Sequence, residues 1–227
     1  MKRFKLKILI FAIFFAPITF SLGVWQINRA NEKIEILDNY NNLLNSDSVP
    51  LKSNLKNWQP VETVGEFKEL IIYEDNAILD GKAGYKIYHL FENSDGSSIF
   101  IHRGFIQRNI LKNDLPEVAV PTGKVVLKGK VLQKTNNSFI NNVEELDLRI
   151  IQEFDINHLK ERFSALENMD VYGYLFNLDA EDQAKYSVIE KPVNMSANKH
   201  IGYAIQWFGL CVALIILTIY AYRKKDG

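Results

Sequence analysis

ILIFAIFFAPITFSLGVW at residues 8–25 and IGYAIQWFGLCVALIILTIYAY at residues 201–222 decide the architecture. Neither run of 18 and 22 residues carries a charge. At about 1.5 Å per residue they reach roughly 27 and 33 Å as helices, close to the hydrocarbon thickness of a bilayer. Each is therefore read as a membrane span. Lys2, Arg3, Lys5 and Lys7 precede the first run, and Arg223, Lys224 and Lys225 follow the second. The positive-inside tendency then places both termini in the cytoplasm. Pro17 is tolerated inside a span, where neighbouring groups satisfy the freed carbonyl. A cleaved signal peptide would share the basic head, but the apolar run exceeds an h-region of about 7–15 residues and has no A-x-A site. The retained helix is the reading adopted.

Working outward gives a basic amino terminus at residues 1–7, a span at 8–25, an external domain at 26–199, a span at 200–222 and a tail at 223–227. The whole chain of 227 residues is neutral, with 27 basic and 27 acidic side chains, but residues 26–199 alone hold 20 basic and 26 acidic ones. That net of −6 gives an acidic extracytoplasmic domain, with no basic surface of the kind that binds nucleic acid. Hydrophobic residues make up 47% of the chain, which excludes a disordered one. Cys211 is the single cysteine, so intramolecular disulfides and paired-thiol metal or redox motifs are ruled out.

Ile27, Ala30, Ile34, Leu37, Tyr40 and Leu44 recur at helical spacing, so the first helix is expected to continue outward until Asn45 and Pro50 stop it. Short β-branched and aromatic runs follow at Val61 to Phe67, Leu70 to Tyr73, Tyr85 to Phe91, Ile99 to Ile106 and Val125 to Leu132; these read as antiparallel strands. Asp155 caps a helix whose Ile156, Leu159, Phe163 and Leu166 share a face, and Val171 to Leu178 returns to strand. The fold class is α+β: two transmembrane helices flank one extracytoplasmic domain of mostly antiparallel β-sheet with a few helices. Reading Asp95-Gly96 as a two-residue type I′ turn sets His89 opposite His102, a pair that packing explains better than metal binding.

No phosphate loop, dinucleotide fingerprint, nucleophile elbow or HExxH motif is present, and the chain is read as a non-enzyme. Glu144, Glu145 and Asp147 read as a solvated loop. His200, at the start of the second span, shares a helix face with Tyr203, Ala204 and Trp207. Two roles suit it: axial ligation of a haem iron, or anchorage in an interfacial aromatic belt. Gln206 is expected to face the other helix in a stripe with Gly202 and Gly209, opposite Thr19, Ser21 or Gly23.

LGVWQINRANEK at residues 22–33 and NKHIGYAIQWFGL at 198–210 resemble the signatures of the Surfeit locus protein 1 family. Val64 to Phe67, the Gly84-Tyr85 pair and Ile101 to Ile106 resemble its central motifs, although His102 and Phe105 depart from the family's V-N-R-G-W. The resemblance implies a two-span assembly factor of haem-copper cytochrome c oxidase that assists haem a insertion into the catalytic subunit. It further implies haem a as a transient cofactor, and the lipid bilayer, the catalytic subunit and the haem a synthesis machinery as partners. It makes His200 the iron ligand. Trp25, Tyr203 and Trp207 are then expected to wall the macrocycle, and Arg29 to pair with a propionate. A haem-independent scaffold is the alternative. Lys5 and Lys7 abut the first span, leaving no room for an import presequence, so a bacterial plasma membrane is the expected location.

Overall fold

A computed structural model describes residues 2–108, 114–134 and 147–223. Lys224 and Lys225, and Glu144 and Glu145, lie outside them. The chain divides into two compact units, one of residues 1–41 with 191–227, the other of residues 42–190.

The first unit is a pair of helices. α1, Lys2–Leu44, runs unbroken through Pro17, as the periodicity beyond residue 26 predicts. α3, Ala197–Arg223, is the second. Most residues of their apolar stretches are exposed, so both helices present long apolar faces and are long and apolar enough to cross a membrane. On α3, His200, Ala204, Cys211 and Thr218 are buried, with Trp207 and Leu214 half-buried between them. On α1 the corresponding series is Ala12, Ala16, Thr19, Gly23, Gln26 and Ala30. Both alternate three- and four-residue steps, the spacing that keeps one seam against a partner helix.

Small residues on α1 let the larger side chains of α3 approach. A Cβ on Gly23 would stand 2.5 Å from Cε1 of Phe208. Phe208 also meets Phe20 with ring centroids 5.5 Å apart, and Cys211 Sγ donates to the Ala16 carbonyl at 3.4 Å. The expected Gly202–Gln206–Gly209 stripe is not the seam. Gln206 is exposed, and a Cβ on either glycine would meet nothing within 4 Å. Those residues lie on the side of α3 turned away from the buried series, and the glycine that permits contact is Gly23 on α1.

The second unit is a mixed sheet. Its strands are β1 (Val49–Pro50), β2 (Pro60–Leu79), β3 (Lys82–Asn93), β4 (Ser98–Gln107), β5 (Val125–Leu132), β6 (Ile150–Ile151) and β7 (Val171–Leu178). The order β2-β3-β4-β7-β5 closes because β5 also pairs with β2, from Pro60↔Lys130 to Gly65↔Val125. This is a five-stranded barrel. Val61, Phe67, Phe91, Ile101, Leu127 and Phe176 come from all five of its strands and pack in one buried cluster, each large side chain contributing about 1.5–3 kcal/mol. A second cluster lies on the opposite strand faces, where Leu159 of α2 (Ile156–Arg162) and Leu166 of a following 3₁₀ turn cover Tyr88, Leu90, Phe100 and Leu175.

Asp155 caps α2 through its side chain, as expected, but the helix ends at Arg162 rather than reaching Leu166. The runs Val61–Phe67 and Leu70–Tyr73 belong to one strand, β2. Its register shifts between Phe67 and Ile71, a bulge that bends the strand without ending its pairing. The strands are not all antiparallel: β1 and β6 run parallel to β2, and β7 runs parallel to β4.

The expected histidine pair does not form. Asn93 N donates to Ser97 O, leaving a three-residue loop in which only Gly96 has positive φ, and this sets His89 opposite Ile101 and Tyr88 opposite His102. One residue of slip sends the two imidazoles to opposite faces. The two-residue turn with positive φ at both positions is instead Asp80-Gly81, joining β2 to β3.

His89 donates from Nε2 to the Lys68 carbonyl at 2.6 Å and accepts at Nδ1 from Arg103 at 3.0 Å. Burial, with Arg103 beside it, lowers its pKa from 6.5 to about 4. The unfolded chain therefore binds a proton near pH 6.5 that the folded one refuses until pH 4. Stability from this group is full above pH 6.5 and is lost as pH falls toward 4, by about 3 kcal/mol. Unfolding curves of His89→Gln across this window should show a shallower acid loss than the parent; an unchanged slope would contradict the assignment.

Candidate functional site

The seam of the helical pair ends in a polar contact. His200 lies in the first turn of α3 and Gln26 follows the apolar run of α1, so both stand where each helix passes from apolar to polar sequence. His200 Nδ1 lies 2.7 Å from Gln26 Oε1. A carbonyl oxygen only accepts, so Nδ1 carries a proton, and in the neutral ring the lone pair then sits on Nε2. Metal-bound histidines are commonly held this way, by a hydrogen bond at the nitrogen that does not coordinate. The imidazole is 8% exposed, and Nε2 is neither hydrogen-bonded nor enclosed among the described residues.

The other histidines differ. Both nitrogens of His89 are engaged, and His102 Nδ1 donates to Asn177 Oδ1 at 2.9 Å while its Nε2 is sealed in the interior. Burial, with Lys185 nearby, drives the His102 pKa well below its ordinary value. Among the described residues no group of three His, Cys, Asp or Glu side chains is placed to hold a metal ion. A single imidazole offering one nitrogen suits a metal whose other coordination positions come from a macrocycle.

The aromatic side chains expected beside His200 are not gathered on it by any ring contact or hydrogen bond among the described residues. Trp25 is 52% and Tyr203 45% exposed, Trp207 is half-buried, and no ring contact joins the three among the described residues. Arg29, one turn beyond Trp25, is held by Glu32 at 2.6 Å. The helical pair thus brings His200 and Gln26 together, while Trp25, Tyr203 and Arg29 remain at its surface. Sequence pattern alone does not pair Gln26 with the imidazole, although Gln26 adjoins Trp25. The signal for it is its position at the end of one apolar run, matching that of His200 at the start of the other.

A family model described as the SURF1 family matches residues 13–212. Over 237 residues the chain is 26% identical to a SURF1-like protein of Rickettsia prowazekii, spanning 98% of this chain and 91% of that protein. It is 23% identical over 231 residues to Surfeit locus protein 1 of Xenopus tropicalis, covering 91% of this chain and 72% of the relative. With Surfeit locus protein 1 of Takifugu rubripes it shares 22% identity over 244 residues, covering 95% and 97%.

Proposed function

Because the chain belongs to the SURF1 family, we propose that it is a membrane-anchored assembly factor for haem-copper cytochrome c oxidase that assists haem a on its way into the catalytic subunit. The observation that carries the haem part of this reading is the His200–Gln26 contact, which leaves one imidazole lone pair free at the end of an apolar helix seam. A haem bound there would be held through its iron by the His200 nitrogen and would be cargo rather than a reacting group. The protein's own residues do the rest.

Gln26 fixes the His200 tautomer and aims Nε2. Trp25, Tyr203 and Trp207 offer flat apolar faces, which exclude water from a macrocycle. Arg29 would exchange Glu32 for a propionate, trading one exposed ion pair for another at little net cost. Apart from the bond between His200 and iron, this reading asks no side chain to form or break a bond, and the role it describes is carriage and presentation rather than catalysis. In this reading the termini are cytoplasmic, the residues between the spans are periplasmic, and the membrane is a bacterial plasma membrane.

Purifying the full chain from cells that make haem a tests the proposal. Haem a at about one per chain is the expected result. Colourless protein that still co-purifies with the catalytic subunit would replace carriage by a haem-independent scaffold role.

A further inference from the structure

Arg103 of β4 is 2% exposed, yet no carboxylate lies within ion-pairing distance among the described residues. The contrast is with Arg108 and Arg149, more exposed, which hold Asp75 and Asp147. A buried charge left uncompensated is costly unless something answers it. The fold answers in part with neutral groups. Nε donates to the Ala184 carbonyl at 2.8 Å; Nη1 donates to the Ala119 carbonyl at 2.6 Å and to His89 Nδ1 at 3.0 Å. The rings of Phe67 and Tyr186 lie 5.3 and 5.0 Å from the guanidinium carbon.

Nη2 and its two N–H groups are left over. Among the described residues they make no hydrogen bond, and Nη2 is not enclosed there. Arg103 lines a cavity of about 450 Å³ whose other walls include Phe67, Val120, Pro121, Val125 and Leu127. Such a volume is in the range of small-molecule sites, and apolar walls around one convergent charge are their usual make-up. Asp182 also lines the cavity, with Oδ1 accepting from the Ala184 N–H at 2.7 Å. Its charge offsets part of that of Arg103, which leaves a dianion less well balanced there than a ligand with a single negative charge.

We propose that this cavity binds a small monocarboxylate with an apolar stem, its carboxylate meeting Nη2 of Arg103 and its stem lying against Phe67 and Leu127. Charge-assisted hydrogen bonds to guanidinium are the strong ones, and burial leaves this one little screened. The site is made of barrel strands and the segments that flank them, all within residues 42–190, and does not depend on the reading of His200.

Equilibrium dialysis of labelled hexanoate against the full chain in lipid nanodiscs, with empty nanodiscs as the blank, tests the proposal. Saturable binding at one site per chain is expected, with acetate and succinate competing at least about tenfold more weakly and hexylamine not competing. Arg103→Gln should weaken binding by about tenfold or more. Since that variant disturbs a buried position, Val126→Glu, at an exposed residue of the cavity lining, gives a second reading and should weaken binding similarly. Retention no greater than in empty nanodiscs, equal competition by hexylamine, or full affinity in both variants would overturn the proposal.

Discussion

Replacing His200 by alanine is expected to strip haem a from the purified chain, lowering pigment at least about tenfold relative to the parent made in the same cells. The imidazole is the one nitrogen donor at the end of the helix seam whose lone pair is neither engaged nor enclosed among the described residues. Gln26→Ala separates ligation from packing. It leaves the imidazole in place but removes the acceptor that fixes its tautomer, and outer-shell changes of this kind cost about 10–100-fold in metal affinity. Gln26→Glu, which restores an acceptor, should recover pigment. Undiminished haem content and an unaltered spectrum in His200→Ala would remove the ligand assignment, and equal pigment in Gln26→Ala would remove the positioning role.

The second large effect lies in the barrel. Glu74, 7% exposed, accepts at Oε2 from Tyr88 Oη at 3.0 Å, from Lys134 at 2.5 Å and from the Phe154 N–H at 3.1 Å; its Oε1 lies 3.2 Å from Lys86. Burial alone would raise its pKa, but Lys134 and Lys86 outweigh that and hold it below the ordinary carboxylate value. Glu74→Leu removes the anion and takes from the buried Lys134 ammonium its carboxylate partner, while Lys86 keeps Glu190 at 2.8 Å; breaking the buried pair costs about 3–5 kcal/mol. A fall in melting temperature on the order of 10 °C should follow for a unit of this size. Its contribution is present above the unfolded carboxylate pKa and fades as pH falls through the lower folded value. The parent and Glu74→Leu should therefore converge in stability under acid. A melting point within about 2 °C of the parent at pH 7 would contradict this account.

The membrane helices were legible because a span is a matter of composition: 18 and 22 uncharged residues need no partner to be recognised. The strands Val125–Leu132 and Val171–Leu178, and the Asp155 cap, follow from local periodicity and turn chemistry and match their expected bounds. What failed was pairing. Asp-Gly fits a two-residue turn and also a three-residue loop ending in a left-handed glycine, and only the packed sheet selects the second at residues 94–96. Barrel closure through β2 and β5 joins Val61 to Gly129 across more than sixty residues, a separation no local pattern encodes.

The site divides in the same way. His200 and the aromatic residues near it could be named from their spacing along α3. Gln26 as the imidazole's partner depends on the rotational phase of two helices. That phase is set by the small-residue series of α1 through Gly23, one of the partners expected there, and not by the Gly202–Gln206–Gly209 stripe of α3.

The central claim is that this helix pair crosses the membrane twice and opens, at His200, on the periplasmic side. Asn198→Cys, in a chain whose native Cys211 is buried in the seam, places a thiol two residues from the imidazole. Treating spheroplasts with a membrane-impermeant maleimide then reads its side directly. The account predicts labelling at position 198 in intact spheroplasts, on a chain that keeps its amino-terminal helix. Labelling only after the membrane is opened, or a mature chain that has lost residues 1–25, would contradict it.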